Sequence, residues 1–134
     1  MTVLIEEFKR EHLDIVAALN RVKELGIQSR EGKAELSSVK AALLEHLENE
    51  DERLYPFLRK EAEKKKELKN ILDLFALEME DVTQAVTEFF HRFSRGEVLD
   101  EKLQEEFENL SAVLVKRIKN EESILYDEYE YINQ

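Results

Sequence analysis

Apolar residues recur every three or four positions along four long stretches of the chain, the spacing that gathers them on one face of an α-helix. The first stretch carries Ile5, Phe8, Ile15, Leu19 and Val22, and stops at Gly26, a residue suited to ending a helix. The second carries Leu36, Val39, Leu43, Leu54, Phe57 and Leu58, then fades into the charged run "EKKKE" at 63–67. The third carries Leu68, Ile71, Phe75, Met79, Val82, Val86, Phe89 and Phe93, and ends at Gly96. The fourth carries Leu103, Phe107, Leu110, Leu114, Ile118, Ile124 and Leu125, with Asp100 placed as its N-cap. Helices are therefore expected over about residues 3–25, 31–63, 66–95 and 100–132. The links between them are short, which favours antiparallel neighbours. The expected fold is an all-α, up-down-up-down four-helix bundle, with residues 1–134 forming a single domain. Pro56 should kink the second helix or mark off its last third.

The same stripes are interrupted by polar residues. His12 falls mid-face on the first helix, His46 and Glu50 on the second, and Arg117 and Glu121 on the fourth. Each lies near the middle of its helix, so the five side chains should converge at one level of the bundle. Buried charge without a partner is costly, so these groups must satisfy one another, bind a metal ion, or do both. A histidine and a carboxylate four residues apart stand on one helix face and can hold one ion. His12 joins that pair, and Glu121 faces it.

The second and fourth stretches also share a template. "HLENEDERLYP" at 46–56 and "RIKNEESILYD" at 117–127 align at a constant offset, so His46, Glu50, Leu54 and Tyr55 fall on Arg117, Glu121, Leu125 and Tyr126. A weaker match sets "EHLDI" at 11–15 over "EMEDV" at 78–82, pairing His12 with Met79. In each alignment one copy has a histidine and the other does not.

Composition narrows the chemistry. Only three glycines and one proline among 134 residues suit long helices. The absence of cysteine removes disulfides, thiolate metal sites and cysteine nucleophiles. A net charge of −11 argues against nucleic acid as a partner. No apolar run is long enough to cross a membrane, and "MTVLIEEFKREH" does not read as a signal peptide, so a soluble, cytoplasmic protein is expected. No nucleophile–base arrangement or phosphate loop is present, and a binding role is expected rather than an enzyme. His91 in "FFHRF" stands about twelve residues beyond Met79, roughly 18 Å along a helix, and belongs to the helix end. Met79 reads as core filling, and Glu78 and Glu80 as solvent-facing. Tyr126, Tyr129 and Tyr131 would cover the bundle end or form a partner surface.

The motifs around His12 and His46, down to the Leu54-Tyr55-Pro56 that follows the second, resemble the hemerythrin-like, HHE cation-binding family. That pattern is His on the first helix, His-x-x-x-Glu on the second, His on the third and His-x-x-x-Glu on the fourth. The resemblance covers nearly the whole chain. It implies a four-helix bundle, two non-haem irons bridged by two glutamates, and roles in binding or sensing oxygen, nitric oxide, redox state or iron. Two positions depart from the pattern, where Met79 and Arg117 replace histidines. The resemblance thus implies one complete half-site, His12, His46, Glu50 and Glu121, and a degenerate second half. The expected cofactor is a single divalent metal, iron before zinc, manganese or cobalt. The alternative is a metal-free bundle in which Arg117 stands in for the second metal's charge, serving as a protein-interaction module whose partner is unspecified.

Overall fold

The computed structural model describes residues 1–95 and 101–134. Gly96 and Asp100, expected to end the third helix and cap the fourth, lie outside the described residues. The chain forms α1 (Val3–Leu25), α2 (Arg30–Arg53), α3 (Tyr55–Ala62), α4 (Lys66–Ser94), α5 (Glu101–Asn120), a π-helical segment (Glu121–Tyr126) and α6 (Asp127–Ile132). α2 and α3 make one rod, and α5, the π segment and α6 another. With α1 and α4 they build a four-helix bundle, with no strand among the described residues.

Local chemistry sets the ends. Thr2 caps α1, its hydroxyl accepting from the Ile5 N–H at 3.3 Å. Gly26 ends α1 with φ 82°, a conformation open to glycine. The Ser29 hydroxyl then donates to the Gly26 carbonyl at 2.9 Å and accepts from the Gly32 N–H at 2.9 Å, starting α2. A Cβ on Gly32 would stand 1.8 Å from the Gly26 carbonyl oxygen, so this tight turn admits only glycine there.

Neighbouring rods run antiparallel. Arg21 pairs with Glu35 at one end of α1 and α2, and Arg53 pairs with Glu7 at the other, each at 2.7 Å. Lys23 reaches Glu108 on α5, while Thr2 bonds Glu130 on α6. Arg92 and Glu106 link α4 to α5.

The second rod, expected over 31–63 with a kink or boundary at Pro56, breaks there. Leu54 leaves ideal helical geometry (φ −106°, ψ −57°), and α3 restarts with Pro56 in its first turn. Proline has no N–H to return to the preceding turn and its ring crowds that turn, so it is accommodated where a helix begins. The last rod departs further: six residues of π-helix, Glu121–Tyr126, interrupt a run expected to be α-helical throughout.

The interior divides into two apolar blocks. One holds Ile15, Leu19, Val22, Leu36, Val39, Leu43, Val82, Phe89, Phe107 and Leu114; the other holds Ile5, Phe8, Leu54, Leu58, Leu72, Phe75, Leu125 and Tyr126. Each fully buried large apolar side chain contributes roughly 1.5–3 kcal/mol. Between the blocks lies a buried polar layer of His12, His46, Glu50, Arg117 and Glu121. No helix is long and apolar enough to cross a membrane among the described residues.

Candidate metal centre

Helical periodicity points His12 of α1 and His46 with Glu50 of α2 into the bundle from adjacent antiparallel rods. Glu121 enters at the start of the π segment. One ligand-type atom from each of these four lies within 4.8 Å of every other, and all four residues are buried.

Each imidazole is held from behind. His46 Nδ1 donates to Glu11 Oε1 at 2.5 Å, and His12 Nδ1 donates to Glu122 Oε2 at 2.8 Å. An ionised carboxylate can only accept, so both Nδ1 atoms carry hydrogen and both Nε2 atoms face inward. The supports cross over between rods: Glu11, beside His12 on α1, holds His46 of α2, while Glu122, beside Glu121, holds His12.

Tyr126 closes the layer. Its hydroxyl donates to Glu50 Oε2 at 2.8 Å, and its ring stacks on His12 with centroids 5.3 Å apart and planes 8° apart. The hydroxyl also lies 3.2 Å from His12 Nε2, but its single proton is committed to Glu50. The π segment makes this possible. At 3.6 residues per turn, positions five apart diverge by about 140° around an α-helix; π-helical pairing, which bonds residues five apart, returns them to one face. Glu121 and Tyr126 thus both reach the cluster.

Three atoms in the layer lack hydrogen-bond partners: His46 Nε2, Glu50 Oε1 and Arg117 Nε. His46 Nε2 approaches Glu50 Oε1 at 3.3 Å, yet neither makes a hydrogen bond, because the approach is badly angled. Buried polar atoms are nearly always satisfied, and a nitrogen lone pair beside a carboxylate oxygen is a donor set that a cation completes. The residues therefore fit a divalent metal.

Charge is unevenly placed. Burial pushes the Glu121 carboxyl well above its ordinary range, and the nearby Glu50 charge adds to this. Burial also pushes Glu50 upward, but its close neighbours His46 and Glu121 and the Tyr126 hydroxyl outweigh it and hold Glu50 below the usual carboxylate range. Burial lowers His12. Burial works against the His46 cation too, yet Glu50 and Glu11 overcome it and raise that group. Without metal, protons thus favour His46 and Glu121, with Glu50 ionised.

The two departures from the family pattern sit beside the cluster. Met79 is half-buried and packs against the first apolar block. Arg117 is 6% exposed. In the metal-free alternative it stands in for the second metal's charge. Its Nη1 reaches Glu78 at 3.5 Å, its Cζ lies 4.6 Å from the centre of the Phe75 ring, and its charge favours the ionised form of Glu121 against that group's burial. Glu78, expected to face solvent, is about half-exposed but turns its carboxylate to Arg117. Glu80 is exposed. His91 is exposed in the last turn of α4, outside the cluster. Tyr129 covers the bundle end against Phe57, and Tyr131 is exposed beneath Lys65.

Sequence reasoning missed Glu11, Glu122 and the site role of Tyr126. The first two are off the apolar stripe, and the only signal for them is that each adjoins a candidate ligand. For Tyr126 the signal was its alignment with Tyr55, five residues after a glutamate in both copies.

A four-rod bundle whose core is interrupted at mid-height by two imidazoles and two carboxylates is the architecture of the helical-bundle metal proteins. The model of the family described as the hemerythrin HHE cation-binding domain matches residues 3–129, and the chain belongs to that family. Comparison with curated proteins and with solved structures finds no significant match.

Proposed function

We propose that the chain binds a single divalent metal ion, iron before zinc or manganese, through His12, His46, Glu50 and Glu121. Its role would be to bind or sense oxygen, nitric oxide, redox state or the metal itself, without catalytic turnover, in the cytoplasm and as one domain spanning residues 1–134. The observation that carries this reading is the buried, unpartnered pair His46 Nε2 and Glu50 Oε1, with both imidazoles anchored on their far side by carboxylates. Two nitrogens and two carboxylates suit Fe(II), and Arg117 and Met79 offer no second set of nitrogen ligands.

The chain's own residues would orient and exclude. Glu11 and Glu122 fix the imidazole tautomers, Tyr126 steadies Glu50, and the two apolar blocks keep bulk water from the layer. Bound Fe(II) would supply an oxidisable centre able to take a small ligand.

A second reading, a metal-free interaction module, draws on the internal pairing already present, with Tyr126 bonded to Glu50 and Arg117 to Glu78. Metal content separates the two. Protein purified without chelators under anaerobic conditions should hold about one metal per chain, and His46→Ala should lose it. Ligand at a hundred times its Kd stabilises by about 2.7 kcal/mol, so added Fe(II) should raise the melting temperature of the wild type and not of the variant. Two metals per chain would overturn the mononuclear reading. No metal, with no stabilisation by added ions, would favour the interaction module.

A further inference from the structure

We infer that Arg117 and a small cavity beside the metal cluster form a binding site for one small planar oxyanion of the formate, nitrite or bicarbonate class. The inference rests on the metal site proposed above.

A cavity of about 60 Å³ lies against the cluster on the side where Met79 and Arg117 replace histidines. His12, His46, Arg117 and Glu121 supply its charged and imidazole wall, and apart from Thr83 and Thr87 the remainder is apolar. One water needs roughly 10–15 Å³ of such space, so the cavity takes a small polyatomic ion. Two nitrogens in this wall, Arg117 Nε and His46 Nε2, are buried without hydrogen-bond partners. His46 Nε2 is accounted for by the metal; Arg117 Nε is not.

The charge balance asks for an anion. A divalent ion cancels Glu50 and Glu121, leaving the Arg117 charge balanced only by a distant, partly solvated carboxylate. The guanidinium stays protonated at any accessible pH. Its carboxylate contact among the described residues, Glu78, is stretched to 3.5 Å and 49% exposed. Glu11 and Glu122, at 27% and 33% exposed, are engaged by the histidines and screened by water. A guanidinium presents parallel N–H donors that match the two oxygens of a planar oxyanion. A diatomic gas would leave the charge where it is.

The cavity adjoins a second, open pocket. An open groove of about 1110 Å³ runs between α2–α3 and α4, and Leu47, Met79 and Thr83 line both groove and cavity. Met79, unbranched and flexible, is the most movable part of that partition.

The test uses full-length protein loaded with Co(II), whose visible absorption reports metal binding before any anion is added. Formate is titrated against chloride at constant ionic strength. Saturable changes in the Co(II) bands are expected in the wild type, with affinity at least tenfold weaker in Arg117→Met, whose bands without formate stay unchanged. Wild-type bands indifferent to formate, or equal affinity in the variant, would overturn the oxyanion site and leave the metal reading standing. Absence of Co(II) bands in the wild type would overturn both. Should Arg117→Met fail to fold, Arg117→Lys retains the charge without the parallel donors and must still weaken formate.

Discussion

The His46 imidazole shows how residue-level chemistry sets the behaviour of the centre. Glu11 and Glu50 favour its cation and raise it above the ordinary value of about 6.5. In the metal-free protein this contribution is fully present below pH about 6.5, and is lost as pH rises through the folded value. Glu121, also raised, acts in the same sense from a lower starting point. His12, lowered by burial, acts oppositely and costs stability as pH falls. Metal-free protein should therefore weaken on both sides of an optimum, with the Glu121 contribution lost first as pH rises and the His46 contribution lost above pH about 6.5. A bound cation replaces the protons on His46 and Glu121, so metal affinity should rise with pH. Denaturant unfolding from pH 5 to 9, with and without saturating Zn(II), checks this; a metal-induced stabilisation independent of pH would contradict it. At this scale the sequence was informative where a polar residue broke an apolar stripe, as at His12, His46, Glu50 and Glu121. Glu11 and Glu122 carried no such mark, since each serves a histidine on another rod.

Among the elements, the π segment links helix register to the site. It acts as one residue inserted into an otherwise α-helical rod, letting Glu121 and Tyr126 share a face. Deleting Ser123, which is exposed, should relax the segment to α-helix and bring Glu121 and Tyr126 four apart, still on one face. Deleting Lys119, equally exposed but before the segment, turns the upstream rod by about 100° relative to Glu121 and everything after it. The Ser123 deletion should keep metal stoichiometry and melting temperature close to wild type, whereas the Lys119 deletion should lose the metal. Equal damage from both would show that the π register has no special part. Apolar spacing alone could not reveal this element, because Leu125 and Tyr126 face inward on either a tight or a widened turn. Pro56 did announce the break in the second rod, because its missing N–H is a property of the residue itself.

Across the whole molecule, the first residues are tied to the last rod. Thr2 bonds Glu130 through both its backbone N–H and its hydroxyl, while the same hydroxyl caps α1. Thr2→Val removes the cap and one bond to Glu130, and should cost about 1 kcal/mol by denaturant unfolding. The Glu130 carboxyl is held below its usual range chiefly by the Thr2 hydroxyl. Its contribution is present above pH about 4.3 and lost as pH falls through the folded value, so the wild-type advantage should shrink in acid. A difference between wild type and variant that is constant from pH 7 to 3 would contradict the assignment.

By itself the sequence determined the rods, their antiparallel order and the membership of the polar layer, because helical periodicity converts position along the chain into direction across the bundle. Tertiary structure alone decided which atoms meet. It crossed Glu11 and Glu122 over to the histidines of neighbouring rods and brought Tyr126 onto Glu50. It also set Arg117 beside Glu78 and over the Phe75 ring. Periodicity fixes the face a residue occupies, whereas a hydrogen bond depends on how far two rods stand apart, how each is rotated and which rotamer the packing leaves open.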